Sequence, residues 1–291
     1  MKPILVPVDF SKSADNAAQY AVHLSKNIGS NIFLCHSFFV PGDAVGNQIA
    51  WPLYQYSTLE KSSTAQLGNL AKDLEVRDRG LTSPSSFHPS IFYSSASGGT
   101  TDMLEELLAE KRAGLIVMGL SGASAVSKFL FGSVSWETIE HAQCPVLLVP
   151  AEFRFKGLKK IAFATDLGST DIQVIHSLAA LAAHFSADLV VIHVSSEKQL
   201  ASENDKQSET FLNEITNKVN YDRIYYRQIK NEDIDKGLDW LIENSEIDMM
   251  AMVHHKKGLL SKVLGGSHTK QLAGHISLPL LVYPSDQQCT F

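Results

Sequence analysis

The run Gly119-Leu-Ser-Gly122, followed after nine residues by Gly132-Ser133, combines residue types suited to holding an anion. The segment before it, Leu115 to Met118, reads as a buried strand, and a helical stretch opens near Ser133. Glycines at a strand exit permit a positive φ and let backbone approach a ligand without a Cβ in the way. A helix start adds orphan N–H groups and the positive end of the helix dipole, so Gly132 and Ser133 can present N–H groups and a hydroxyl to phosphate. The competing reading is that the glycines only shape a turn. The second Gly-Ser, placed at a helix start, is what favours phosphate.

These residues need a scaffold, and the chain spells one out twice. ILVPVDFS (4–11) matches IAFATDLG (161–168), so Asp9 corresponds to Asp166; NIFLCHS (31–37) matches DLVVIHV (188–194), so His36 corresponds to His193. Later, SKFLFGS (127–133) matches SKVLGGS (261–267) and PVLLVP (145–150) matches PLLVYP (279–284), at a shorter offset. Copy one therefore holds extra residues, most naturally in the Pro-, Gly- and aromatic-rich segment 41–59, which reads as a long loop. A repeat of this length means duplication, with domains at 1–150 and 155–285 and a boundary in AEFRFKGLKK. In copy one, strands are expected at Ile4–Val8, Ile32–His36, Phe87–Tyr93, Leu115–Met118 and Val146–Val149. Between the first two, Ala14, Ala17, Ala18, Ala21, Leu24 and Ile28 make one apolar helix face, capped by Ser11 or Ser13 and closed by Gly29. A later helix carries Met103, Leu104, Leu107 and Leu108; in copy two, Ile172 to Phe185 repeats the first helix behind Ser169 or Thr170. Alternating strands and helices predict parallel sheets with right-handed crossovers.

Composition narrows the function classes. The chain has 291 residues, 44% hydrophobic and 19% charged, which is enough for two globular cores. A net charge of −6 argues against a dedicated nucleic-acid binder. No run reaches membrane-spanning length, and Asp9, Lys12 and Asp15 interrupt any signal-like start. Cys35, Cys144 and Cys289 lack Cys-x-x-Cys spacing, which suits a reducing cytoplasm. Walker A spacing and a Gly-x-Ser-x-Gly elbow are both absent. His254 and His255 are adjacent and their side chains diverge, so this pair alone is a poor chelator, and no metal site is expected.

The Gly-x2-Gly-x9-Gly-Ser spacing between LIVMG and CPVLLVP resembles the nucleotide-binding motif of the universal stress protein family. ILVPVDFSKSADNAAQYA and LCHSF resemble the family's first strand, aspartate, first helix and second strand. The resemblance implies an α/β fold of two tandem doubly wound, Rossmann-like parallel-sheet domains, set edge to edge as an intramolecular pseudo-dimer. It implies an ATP site, or one for AMP or ADP, with Mg²⁺ as a companion of the phosphates. In that picture Asp9 lies in the adenosine pocket, Pro7 and Val8 line the base, and Ser37 backbone meets the adenine edge. Met118, Gly119 and Gly122 admit ribose and phosphates, while Gly132, Ser133 and Val134 bind phosphate oxygens; Lys128 either neutralises charge there or is solvated. Copy two departs: Val253 and Lys256 replace Gly119 and Gly122, although Gly266 and Ser267 remain. Its site is not expected to bind ATP in the same mode. The expectation is a cytoplasmic stress-response binding or signalling module with no catalytic residue and at most weak ATP hydrolysis. Homodimers and an unidentified protein partner are compatible with it. Two alternatives stay open: an adenine-nucleotide hydrolase or nucleotidyl-transferring enzyme, and an interaction module that has lost its nucleotide.

Overall fold

A computed structural model of the chain describes residues 2–40, 43–45, 48–50, 53–81, 86–120, 132–195, 201–231, 233–255 and 276–285. Copy one runs β1 (Ile4–Pro7), α1 (Lys12–Ile28), β2 (Ile32–Phe38), β3 (Asp43–Val45), β4 (Gln48–Ala50) and α2 (Leu53–Leu81). It continues through β5 (Ile91–Ser97), α3 (Thr100–Lys111), β6 (Leu115–Leu120), α4 (Ser133–His141) and β7 (Val146–Pro150). Copy two runs β8 (Lys160–Thr165), α5 (Asp171–Phe185), β9 (Asp188–Ser195), α6 (Ala201–Lys218) and β10 (Ile224–Lys230). It ends with α7 (Ile234–Asn244), β11 (Met249–His254) and β12 (Leu280–Pro284).

The two halves build one ten-stranded sheet in the order β10-β9-β8-β11-β12-β7-β6-β1-β2-β5. Within this sheet every pairing inside a half is parallel, and its single antiparallel pair, β7 with β12, joins the halves. Leu147 faces Leu281 and Val146 faces Val282 across that seam. Both strands are apolar on both faces, as strands sandwiched between helices must be. An uncovered apolar edge would be an aggregation template, and each half covers the other's. The pseudo-dimer implied by the sequence is thus a continuous sheet.

Helices cover both faces. Copy-one and copy-two residues share one core on the side of α1, α2, α5 and α6, which includes Leu147, Phe163 and Leu281. A second core, on the side of α3, α4 and α7, includes Leu148, Met250 and Leu280. The connection between the halves is fixed in this packing. Asn16 donates from Nδ2 to the carbonyls of Pro150 and Phe153, and the Phe155 ring packs edge-on against Tyr20 at 5.0 Å.

Local signals explain most boundaries. Ser11 Oγ accepts the Ala14 N–H at α1, and Gly29 closes that helix in the left-handed conformation with φ 68°. At α5 the cap position is Thr170, but its side chain makes no capping bond. Two expectations are corrected. The third strand of copy one runs Ile91–Ser97 rather than 87–93, because its polar stretch Ser94-Ser95-Ala96-Ser97 pairs with Cys35 to Phe38 at the sheet edge. The segment 41–59 is not simply a long loop: β3 pairs antiparallel with β4, and α2 has begun by Leu53.

Candidate functional site

Strand order reverses between β1 and β6, which are direct neighbours in the sheet, and ligands of such sheets bind outside the carboxyl ends at this point. At the end of β1, Asp9 is exposed and its Oδ1 accepts the Ser11 N–H at 3.0 Å. The next residue, Phe10, has φ 60°, a conformation that costs a bulky side chain on the order of 1–3 kcal/mol. Its ring is 38% exposed and lies 4.6 Å from the His36 ring, centroid to centroid. His36 in turn is fixed by a 2.6 Å bond between Nδ1 and the Val8 carbonyl. Ser37 Oγ bonds Thr100 Oγ1 at 2.7 Å, tying the end of β2 to the start of α3.

The other expected residues fall into two groups. Pro7, Val8 and Met118 are buried, and the Val8 side chain belongs to the core beneath α1, so a base pocket would meet these positions mainly through backbone. Gly132, Ser133 and Val134 lie exposed at the start of α4. Gly132 occupies the cap position without a capping side chain, and no acidic residue stands in the first turn. By contrast, α1, α3 and α5 carry Asp15, Asp102 and Asp171 in their first turns. Because α4 leads into β7, which is parallel to β6, its N-terminus lies on the carboxyl side of the sheet. Gly122 and Lys128 lie outside the described residues.

Gly119 has a different role from the one its motif suggested. It is not a turn residue with positive φ; it sits inside β6, opposite Val149. A Cβ there would lie 2.4 Å from the Ser13 carbonyl oxygen and 2.9 Å from the Ala14 nitrogen. Gly119 is what lets the first turn of α1 rest directly on β6.

Copy two repeats the turn but not the packing. Asp166 Oδ1 accepts the Gly168 N–H at 3.0 Å, Leu167 has φ 66°, and His193 Nδ1 lies 3.2 Å from the Thr165 carbonyl. Val253 stands where copy one has Gly119, and α5 starts at Asp171, two residues later than α1 by sequence correspondence. Accordingly α1 lies close on β6, while α5 makes no comparable approach to β11. At this wider junction Asp171 is buried, its Oδ2 accepting the Thr165 hydroxyl at 2.5 Å. Burial pushes its carboxyl up to about 6. His255 Nε2 lies 3.7 Å from Asp166 Oδ2.

Phe10 and Thr100 were not singled out in the sequence. The recurrence of a bulky residue after both aspartates, Phe10 and Leu167, was the available signal for the first. Thr100 gives no such signal, because its contact with Ser37 depends on how α3 is placed.

Among the described residues, no helix is long and apolar enough to cross a membrane. The profile of the Universal stress protein family matches residues 1–150 and again 157–284. Universal stress protein MJ0531 of Methanocaldococcus jannaschii is 27% identical over 154 residues, covering 51% of this chain and 81% of that protein. The crystal structure of a universal stress protein from Archaeoglobus fulgidus superposes with a TM-score of 0.72 at 15% identity, covering 97% of this chain and 98% of the other. A putative universal stress protein from Pseudomonas aeruginosa superposes with a TM-score of 0.62 at 17% identity, over 98% and 93% of the two chains. Matched by the family profile in both halves and sharing the fold along nearly its whole length, the chain belongs to the universal stress protein family as a tandem two-domain member.

Proposed function

We propose that copy one binds one adenine nucleotide, ATP in the first place with Mg²⁺ on its phosphates, and that the chain is a stress-responsive binding or signalling module. The observation that carries this reading is the start of α4, where the cap is Gly132 and, unlike in α1, α3 and α5, no carboxylate stands in the first turn. An anion there meets the dipole and orphan N–H groups without a competing negative charge. Asp9 engages the chain through Oδ1 and keeps Oδ2 for a ribose hydroxyl or an adenine amino group. The exposed ring of Phe10, braced by His36, offers the base an apolar face. In copy two, Val253 and Lys256 replace the two motif glycines, so that half is read as a partner domain rather than an equal second nucleotide site.

Denaturing the purified full chain and identifying the released small molecules by mass tests the proposal. One adenine nucleotide per chain, or its uptake on incubation with ATP, is expected. Neither carry-over nor uptake would overturn it. Asp9→Ala should weaken ATP and AMP alike, since its contact is to adenosine; unchanged AMP affinity would reduce Asp9 to its turn-forming bond with Ser11.

A further inference from the structure

We propose that the switch point of copy two is a binding site for a divalent transition-metal ion, held by Asp166, Asp171 and His255. One carboxylate oxygen from each aspartate and one ring nitrogen of His255 all lie within 4.8 Å of one another. Tetrahedral coordination at Zn–N and Zn–O lengths places ligand atoms about 3.4 Å apart, so the site needs an adjustment of about an ångström to close. The separation of 3.7 Å between His255 Nε2 and Asp166 Oδ2 is already near that value.

An independent observation points to the cation. Asp171 is 1% exposed, yet its Oδ1 has no hydrogen-bond partner. A buried carboxylate oxygen left unpaired is costly, and a metal ion at the cluster would satisfy it. The remaining oxygens are already assigned. Thr165 Oγ1 donates to Asp171 Oδ2, and the Gly168 N–H donates to Asp166 Oδ1. Each carboxylate is thus oriented by one internal bond and keeps its other oxygen for a ligand, which is the way outer groups position metal-binding side chains.

The residues that build this arrangement are the ones in which the two copies differ. Asp166 corresponds to Asp9, but Thr165, Asp171 and His255 stand where copy one has Val8, Ala14 and Ser121. Val253 in place of Gly119 goes with the wider junction between α5 and β11 at which they meet. In the sequence His255 has only the adjacent His254 beside it, which is a poor co-ligand. Its co-ligands are far away in the chain and arrive through β8 and α5. One imidazole and two carboxylates suit a borderline ion such as Zn²⁺, with a coordination position left for water or a further ligand.

The test titrates Zn²⁺ into the untagged, chelator-stripped full chain against a chromogenic chelator. One equivalent held more tightly than any other is expected. His255→Gln, at an exposed position, and Asp171→Asn, which keeps the shape of the buried group, should each weaken that equivalent at least 10-fold. Thr165→Val, which removes both the donor to the Asp171 carboxylate and the acceptor of the Leu167 N–H in the turn behind Asp166, should weaken it about 10- to 100-fold. Circular dichroism identifies any variant that has lost its fold, and the exposed His255→Gln then decides the matter. Absence of a tight equivalent, or its retention in a folded His255→Gln or Asp171→Asn chain, would overturn the assignment.

Discussion

Adding a single methyl group at Gly119 separates two meanings of a motif glycine. In Gly119→Ala the new Cβ would sit 2.4 Å from the Ser13 oxygen, 2.5 Å from its carbonyl carbon and 2.9 Å from the Ala14 nitrogen. All three atoms are backbone in the first turn of α1, so no side-chain rotation relieves the clash. Relief requires α1 to move off β6, beneath which Ala14, Ala17, Ala18 and Val117 form the core. Overpacking of this kind costs typically about 1–3 kcal/mol, and a backbone obstacle places it at the upper end, about 3 kcal/mol. With a denaturant slope of ~2–3 kcal/mol per molar in urea, the midpoint should fall by about 1 M or more. Urea unfolding followed by circular dichroism measures this directly. An unchanged midpoint would refute the close approach of α1 to β6 and with it the explanation of why copy two, bearing Val253, packs α5 differently.

Three further outcomes are expected. Ser133→Ala should weaken ATP by about 1.5 kcal/mol, the loss of a hydrogen bond to a charged group, while leaving adenosine affinity unchanged in calorimetry. Cysteines at Leu147 and Leu281, which face each other across the β7–β12 seam, should cross-link within one chain under mild oxidation, seen as a mobility shift on a non-reducing gel without dimer formation. The third outcome concerns pH. Burial pushes the Asp78 carboxyl up, but hydrogen bonds and charge from Lys26 at 2.6 Å and His88 at 2.5 Å outweigh it and hold the group below its usual range. A depressed carboxyl stabilises the fold fully above its unfolded value of about 3.9 and loses that contribution as pH falls through the folded value. The urea midpoints of wild type and Asp78→Asn should therefore differ near neutrality and converge below about pH 4. A gap that stays constant with pH would contradict the pairing.

Much of this architecture is readable in the chain because it depends on local chemistry. Ser11 and Gly29 mark both ends of α1 through their own side-chain and backbone preferences, and the repeated Asp9/Asp166 and His36/His193 pairs disclose the duplication. Even the seam was readable, since two apolar strands at domain ends need covering. What escaped depends on partners distant in sequence. The polar residues of β5 carry no strand signal and pair only because β2 offers them an edge. Gly119 looks like a ligand loop until α1 is seen resting on it. Asp171 and His255 become a candidate site only when α5 and the end of β11 are brought together.

Calorimetric titration of ATP into the full chain and into Gly122→Val tests the central claim most directly. The account predicts one site per chain in the parent protein. It predicts no measurable binding in the variant, whose circular dichroism stays unchanged, because valine puts a side chain where the motif has none, as Lys256 does at the corresponding position of copy two. Two equivalent sites per chain, or undiminished affinity in Gly122→Val, would contradict it.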